Sequence, residues 1–441
     1  GDWPAPFGIV LVLDRLSALM VALLAVLALP VTLYAIGSGW DRKGAHFHPL
    51  LMFLLMGVAG AFLTGDAFNL FVFFEVLLIA SYGLMIHGGG QARTRAGIQY
   101  IAFNLVGSSL FLFALALLYA VTGTLNMADL AAKLPLLPEG DTALLRVAAV
   151  MLILVFAIKG ALVPLQFWLP GTYANAPGVV AALFAVMTKI GAYATLRFGT
   201  LVFPETLPAT GDLIGHLLQP AALITLAVGA IGVLGAATLP RLAAFAGIAS
   251  MGTAFLAISA FTPATTAAAL YYILHSTLAT AALFLVADLI SRRRAHPRLA
   301  EAPAIAQSGL IAALFMAAAV ASAGMPPLSG FIGKLLILDA FRAQAPLIWS
   351  VILVSSFLMI LGFSRAGSLV FWKPAPHTPT TDTPTPAPTE PLAIAATLAL
   401  LATLAALTVG AGPITDWLTA TAQTLHAPEA YIDANRLGAG Q

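Results

Sequence analysis

Apolar runs of about 20 residues recur along almost the whole chain and constrain its fold more than any other feature. Of the 441 residues, 60% are hydrophobic and only 9% are charged, and the mean hydropathy is +0.97. A helix of about 20 apolar residues crosses the hydrocarbon core of a bilayer. Backbone groups find no hydrogen-bond partner in lipid, so such runs must be helical. The sequence therefore predicts an all-α polytopic membrane protein.

Charge and cysteine content exclude several classes of function. The 20 Lys and Arg residues against 18 Asp and Glu residues leave a net charge of +2, which is too small a positive field to indicate nucleic acid as a partner. The chain has no cysteine, which excludes thiolate catalysis and thiolate-held iron–sulfur clusters. No phosphate-binding loop or correctly spaced set of metal ligands is present in the sequence, so we expect no cofactor and no bound metal.

The apolar runs predict twelve membrane spans, one of which is interrupted. The predicted spans cover residues 9–36, 49–65, 68–86, 97–122, 145–163, 177–198, 214–238, 241–261, 266–290, 303–323 joined to 328–343, 347–372 and 391–411. A proline- and threonine-rich run at 375–391 predicts an exposed linker before the last span.

Two of the helices are predicted to be broken. Three prolines within 164–177 follow Lys159, and the Gly-Met-Pro-Pro segment at 324–327 precedes Lys334. Proline kinks or ends a helix, and paired broken helices are typical of transporters with inverted repeats. We therefore divide the chain into an N-terminal helix and loop (1–48), two inverted five-helix repeats (49–203 and 204–373), and a linker, last helix and C-terminal tail (374–441).

The positive charges of the loops predict the orientation. Basic residues collect in the loops that follow odd-numbered spans: Arg42, Lys43, Arg93, Arg95, Arg241, Arg292, Arg293, Arg294, Arg298 and Lys373. The positive-inside rule places these loops in the cytoplasm and both ends of the chain outside. The chain starts at Gly1, and we expect a preceding piece with an even number of helices.

Four ionisable residues lie well inside apolar runs, where each costs at least about 2.5–3.5 kcal/mol. They are Glu75, Lys159, Lys189 and Lys334. A lysine removed from water holds its proton less tightly, and a nearby carboxylate such as Glu75 favours the charged form again. Such a row predicts a proton relay. Two alternatives stay open: the lysines, most readily Lys334, snorkel to the headgroups, or Glu75 and Lys159 form one static ion pair.

Other polar residues in the apolar runs have individual interpretations. His275 is a further relay candidate, because imidazole exchanges protons near neutral pH. Thr188 and Tyr193 are expected to carry water between the lysines. We expect Asp66 to cap the helix that follows it and Asp288 to form a surface ion pair with the arginines at the end of its helix.

Four segments resemble the antiporter-like subunits of complex I and of Mrp-type sodium/proton antiporters. They are FLTGDAFNLFVFFEVLLIASYGLM (62–85), the stretch 157–193, HSTLATAALFLVADLI (275–290) and GMPPLSGFIGK (324–334). The resemblance covers essentially the whole chain, and the first segment is most similar to the D subunits of the Mrp-type complexes. It implies a fourteen-helix fold with two inverted five-helix repeats, of which this chain holds helices three to fourteen.

The resemblance also implies roles for particular residues. It implies that four residues belong to the family's hydrated polar axis at the membrane mid-plane. They are Glu75, Lys159, Lys189 and Lys334. Many relatives carry a lysine five residues after the histidine, where this chain has Thr280. We therefore expect the second half of the relay to depend on His275 and water.

The sequence thus predicts a proton-translocating subunit of a multisubunit monovalent cation/proton antiporter, which is a secondary transporter and not an enzyme. The expected partners are the other subunits of the complex, the lipid bilayer, protons and Na+, with Li+ or K+ as alternatives. The expected location is the bacterial inner (plasma) membrane. Two rival interpretations stay open: a proton-pumping membrane-arm subunit of complex I or of a membrane-bound hydrogenase, and a scaffold with static buried charges.

Overall fold

The computed structural model describes residues 7–138, 140, 142–294, 297–373 and 390–435, together with Trp3 and Ala5. Within these residues the chain forms seventeen α-helices. They are α1 (Arg15–Ser38), α2 (Phe47–Leu63), α3 (Ala67–Met85), α4 (Gln91–Thr122), α5 (Met127–Lys133), α6 (Thr142–Lys159), α7 (Trp168–Asn175), α8 (Gly178–Arg197), α9 (Leu213–Gly235), α10 (Leu239–Ile258), α11 (Pro263–Ser291), α12 (Ser308–Ala323), α13 (Ser329–Ala340), α14 (Ala345–Gly367), α15 (Pro391–Val409), α16 (Ala411–Leu425) and α17 (Glu429–Asn435).

The all-helical membrane architecture predicted from the apolar runs is confirmed. Among the described residues, ten helices are long and apolar enough to cross a bilayer. The shorter apolar helix α2 and the joined pair α12 and α13 account for the other two predicted spans. In the C-terminal tail two further helices, α16 and α17, follow the last span, and α16 packs on α11. The predicted linker lies outside the described residues except for Glu390 and Pro391.

Both predicted breaks are present, and each lies next to a buried lysine. Helix α6 ends at Lys159, and residues 160–167 are not helical before α7 begins. Helix α12 ends at Ala323, and residues 324–328 separate it from α13, which carries Lys334. Unwound backbone of this kind is tolerated in a membrane only where it lines protein or a cavity. The inverted relation of the two five-helix units stays a prediction.

Three helices form the centre of the bundle. Every residue of α8 from Val179 to Arg197 is buried, and α10 and α11 are buried over most of their lengths. A helix that is apolar all round is expected in such a position. Helix α8 belongs to the first predicted five-helix unit and packs on α11 of the second. The two units therefore share one core, and charges on α8 and α11 are shielded from lipid.

Basic loops meet at one end of the bundle, around Trp40. The Lys43 Nζ lies 3.9 Å from the centre of the Trp40 ring, and the Arg93 guanidinium carbon lies 5.5 Å from it. The Trp40 Nε1 donates to Asp288 near the end of α11 at 3.2 Å, which brings the arginines at 292–294 to the same end. We call this end, defined by these residues, the basic face.

The other end of the bundle, which we call the opposite face, contains a buried ion pair. Arg197 at the end of α8 donates two hydrogen bonds, of 2.6 and 2.8 Å, to the Asp14 carboxylate before α1. The Arg197 guanidinium also lies 5.1 Å from the centre of the Tyr431 ring of α17. Burial alone would raise the pKa of Asp14, but the charge and hydrogen bonds of Arg197 outweigh it and the pKa is lowered. This pair fastens α1, α8 and α17 together.

Candidate functional site

Lys159, the last residue of α6, is held by an asparagine of α4. Its Nζ donates to the Asn104 Oδ1 at 2.9 Å, and the Asn104 Nδ2 donates to the Tyr100 carbonyl oxygen at 2.9 Å. The lysine is 9% exposed, so its ammonium group ends inside the bundle. Asn104 was not predicted as a functional residue, although an amide in the apolar run of α4 is a signal that could have identified it.

Glu75 lies on α3. As predicted, Asp66 caps this helix, and its Oδ1 accepts a hydrogen bond of 2.8 Å from the backbone N–H of Asn69 in the first turn. The Glu75 carboxylate accepts a hydrogen bond from Ser108 of α4. Ser108 and Asn104 are four residues apart and share one side of α4. The Glu75 carboxylate acts electrostatically on Lys159, but the two do not form a direct ion pair. The interpretation of Glu75 and Lys159 as a static ion pair is therefore wrong. Ser108 donates to the Glu75 carboxylate, and Asn104 accepts from the Lys159 ammonium group.

Lys189 lies in the middle of α8 and is the most deeply buried of the three lysines, at 1% exposed. Its Nζ is 3.1 Å from the Met251 sulfur of α10. Among the described residues no oxygen atom accepts a hydrogen bond from this ammonium group, and a thioether is only a weak acceptor. Lys189 is thus the least compensated charge of the row.

A small cavity connects Lys159 with α8. Its volume is about 20 Å³, and its lining includes Lys159, Asn104 and Thr188, the residue before Lys189. This volume is enough for about one water molecule with polar partners. Tyr193 does not line the cavity, since its hydroxyl donates to the Phe62 carbonyl oxygen of α2 at 2.7 Å. A water in this cavity would thus contact Lys159 and Thr188, whereas Lys189 does not line it.

His275 lies on α11, buried between the two halves of the row. Its Nδ1 is 2.9 Å from the Ser329 Oγ at the start of α13. The charges that act on its ring are those of Lys334 and Lys189. Thr280, one turn further along α11, is also buried and faces α10. Thr280 therefore points into the bundle and adds no charge there.

The Lys334 side chain forms a hydrogen bond to the C-terminal end of α12. Its Nζ donates to the Ala323 carbonyl oxygen at 2.7 Å and to the Ser356 Oγ of α14 at 2.7 Å. Gly324 has φ +77°, which favours glycine, and a Cβ there would lie 2.7 Å from the Lys334 Cδ. The snorkelling interpretation is wrong for Lys334, because the carbonyl end of a helix holds a cation inside the bundle.

The structure thus brings all five predicted residues into the interior or onto its edge. None of the three lysines forms an ion pair with a carboxylate within the part of the chain that the structure describes. A buried pair that loses one charge leaves the other uncompensated, at a large cost. An ammonium group without such a partner can release its proton and leave no unpaired carboxylate behind. This arrangement suits proton transfer better than static structural support.

The interpretation of Asp288 as part of a surface ion pair is wrong. Asp288 is buried and accepts hydrogen bonds from the Tyr34 hydroxyl at 2.7 Å and the Trp40 Nε1 at 3.2 Å. Arg292 pairs instead with Glu390, at 2.5 Å. Glu390 directly precedes α15, which packs on α11, so the contact depends on a segment almost one hundred residues away. Only the packed helices reveal it.

Comparisons with known proteins give consistent matches. The family model described as "NADH:quinone oxidoreductase/Mrp antiporter, TM" matches residues 64–360. The chain is 38% identical to the D subunit of a "Probable K(+)/H(+) antiporter" of Rhizobium meliloti (strain 1021), over 99% of this chain and 86% of the relative. It is also 38% identical to the D subunit of a Na(+)/H(+) antiporter of Bacillus subtilis (strain 168), over 98% and 87%. A chain of the Mrp complex from Dietzia sp. DQ12-45-1b is similar in structure, with a TM-score of 0.88, 29% identity and coverage of 99% and 88%.

Proposed function

Because this chain belongs to the NADH:quinone oxidoreductase/Mrp antiporter transmembrane family, we propose that it is the D subunit of an Mrp-type complex that exchanges protons for a monovalent cation. Relatives named as D subunits of K+/H+ and Na+/H+ antiporters match nearly its full length, which supports this assignment. The chain is then a transporter component, and its partners are the other subunits, protons, and Na+, K+ or Li+.

The proposal includes a place in a bacterial inner membrane. The basic face lies in the cytoplasm and both ends of the chain lie outside, as the positive-inside rule requires for the loops around Trp40 and Arg93. The twelve spans correspond to helices three to fourteen of the family's fourteen-helix fold, with two inverted five-helix repeats.

The single observation that carries the proposal is the row of ionisable groups whose three lysines are buried without carboxylate partners. In chain order the row consists of the half-buried Glu75 and the buried residues Lys159, Lys189, His275 and Lys334. In this proposal a proton passes from Lys159 to Lys189 and continues through His275 to Lys334. Two positive charges repel each other in a medium of low polarity, so arrival of a proton at one station drives release at the next. Glu75 sets how firmly Lys159 holds its proton.

A redox-driven proton pump is the second candidate, since the matching family includes subunits of NADH:quinone oxidoreductase. The relatives that match nearly the whole chain at 38% identity are named as antiporter subunits, which favours the first candidate. Purification of the native assembly separates the two. Flavin, iron–sulfur centres or quinone reductase activity in it would support the pump, and small hydrophobic partners without redox centres would support the antiporter.

Proton flux in inverted membrane vesicles that contain the whole complex tests the relay. We expect Glu75→Ala, Lys159→Ala and Lys189→Met to abolish cation-dependent proton flux. The matched control is Lys133→Met, because Lys133 lies near the surface of α5 and pairs with Asp129 at 2.9 Å, outside the row. Wild-type flux in both the Glu75 and Lys159 variants would refute the relay. Normal flux per assembled complex with reduced assembly would instead support the static scaffold.

A further inference from the structure

The backbone at Ala161, two residues after Lys159, is strained. Its φ is +56°, a left-handed value that a residue with a Cβ rarely adopts and keeps only where the surrounding structure holds it. Strain of this kind is frequent at functional sites. The contacts of the Lys159 ammonium group do not explain what holds the backbone of the first break in this shape.

The backbone N–H groups after Lys159 show where the break is fastened. Those of residues 160–162 donate to carbonyl oxygens in the last turn of α6. The N–H of Val163 donates instead to the Thr225 Oγ1 of α9, at 2.9 Å. Within a membrane an N–H group without a partner is costly, and this partner comes from a helix of the other predicted five-helix unit. The hydroxyl of Thr225 therefore joins the first break to the second half of the chain.

Thr225 is completely buried in the middle of α9, and its hydroxyl has a defined direction. It donates to the Ala221 carbonyl oxygen at 2.6 Å, so its lone pairs accept the Val163 N–H. Helix α9 packs tightly on α10, because a Cβ at Gly252 would lie 2.8 Å from the Leu226 Cα and the two backbones therefore touch. The acceptor thus has little freedom to follow the break if the break moves.

Trp168 of α7 fastens the other side of Lys159. Its Nε1 donates to the Ile158 carbonyl oxygen at 3.1 Å. Lys159 therefore lies between two side-chain hydrogen bonds to the backbone, one at Ile158 and one at Val163. Trp168 belongs to the broken helix and can move with it. Among the described residues, Thr225 supplies the side-chain hydrogen bond that ties segment 160–167 to a different helix.

Helix α9 also lies against the groups that hold the other two lysines. Gly252, its contact on α10, is next to Met251, whose sulfur lies 3.1 Å from the Lys189 Nζ. On another side α9 packs on α14, whose Ser356 accepts a hydrogen bond from Lys334. A helix without lysine, arginine or carboxylate residues thus contacts the supports of all three lysines.

We propose that Thr225 is a positioning residue of the relay, and that its hydroxyl holds the strained break in the shape that directs Lys159 at Asn104. The inference rests on the proposed function. Without the hydroxyl the Val163 N–H loses its partner, the backbone at Ala161 relaxes, and the Lys159 ammonium group spends less time on Asn104. An ammonium group that loses a hydrogen bond to its charged form holds its proton less firmly.

Proton flux in inverted vesicles that contain the whole complex tests the role of the hydroxyl. Thr225→Val keeps the shape of the side chain and removes the acceptor, so flux should fall by about the tenfold that one hydrogen bond accounts for. Thr225→Ser keeps the hydroxyl and should retain flux close to that of the wild type. Thr397→Val is the matched control. Thr397 of α15 is equally buried and its hydroxyl donates to the Ala393 carbonyl oxygen, but no backbone group of another helix among the described residues donates to it.

The pH profile of flux shows whether the hydroxyl acts on Lys159. Thr225→Val does not alter the titratable groups on the helices around this lysine, which are Glu75, Tyr100, Tyr173 and Lys189. Since Lys159 holds its proton less firmly in the variant, the pH of half-maximal flux should fall by about one unit, which corresponds to the tenfold effect of one hydrogen bond. A substitution that only loosened the packing would lower flux by the same factor at every pH.

Asn104→Ala provides a second comparison, because it removes the acceptor of Lys159 directly. The effects of Thr225→Val and Asn104→Ala should therefore not add in the double variant. Three results would overturn the proposal: additive effects in the double variant, an unchanged pH profile in Thr225→Val, or wild-type flux in Thr225→Val.

Hydrogen exchange of segment 160–167, followed by mass spectrometry on the purified complex, does not depend on antiport. We expect faster exchange in Thr225→Val than in the wild type or in Thr397→Val, and equal exchange would also overturn the proposal. Absence of cation-dependent flux in the wild-type complex would refute the proposed function, while exchange still measures what holds the break. Native gels establish assembly, and Thr225→Cys, whose sulfur is a weaker acceptor, replaces Thr225→Val in every measurement if the valine variant does not assemble.

Discussion

Replacing Asn104 by aspartate asks whether Lys159 must lose its proton during transport. Aspartate has nearly the same size as asparagine and keeps an acceptor oxygen at the position that now lies 2.9 Å from the Lys159 Nζ. The change therefore preserves the shape of the contact and adds one negative charge. A residue that serves only packing would tolerate this substitution.

The added charge has a large effect on the proton of Lys159. At 2.9 Å and an effective dielectric constant of about 20, the attraction between the two charges is about 6 kcal/mol. Desolvation of the new carboxylate removes part of this. If only half remains, about 3 kcal/mol, the ammonium group holds its proton about a hundredfold more firmly.

Proton flux in inverted vesicles is the measurement, together with thermal denaturation of the purified complex. We expect Asn104→Asp to reduce flux by about a hundredfold, with assembly and thermal stability unchanged or increased. Asn435→Asp is the matched control, because the hydrogen bond that Asn435 forms among the described residues is to the Tyr431 carbonyl oxygen on the opposite face. Wild-type flux in Asn104→Asp would show that Lys159 keeps one protonation state, and the relay would be refuted.

Two further changes test how the row and the opposite face are held. Gly324→Ala should lower thermal stability and flux together, because a φ of +77° costs a non-glycine residue about 1–3 kcal/mol and the new Cβ would lie against the Lys334 side chain. Gly309→Ala is the control, because a Cβ at that position has no atom within 4 Å. Unchanged stability and flux in the Gly324→Ala complex would contradict this reasoning. The lowered pKa of Asp14 means that its pair with Arg197 stabilises the fold above the ordinary pKa of 3.8 and is lost only as pH falls through the lowered value. Asp14→Asn should therefore lower the free energy of unfolding by about 3–5 kcal/mol near pH 7 and remove its dependence on acid pH. Thermal denaturation measured across pH checks this. Equal stability of the variant and the wild type near pH 7 would contradict it.

The broken helices and the buried lysines could be predicted because lipid permits few alternatives. Apolar runs must be helices, prolines after Lys159 and before Lys334 must interrupt them, and a charge in such a run must have a role that offsets its cost. The cap at Asp66 is equally local, since a carboxylate before a helix binds the N–H groups of its first turn. These features depend on neighbours in the sequence and on the solvent.

The partners of the charges were decided by tertiary structure alone. Asn104 beside Lys159, the sulfur of Met251 beside Lys189 and the burial of Asp288 each depend on how one helix is rotated against another. Apolar residues surround the central helices on all sides, so the sequence pattern does not indicate which side faces which neighbour. Hydropathy determined that the charges are buried, and helix packing determined what they touch.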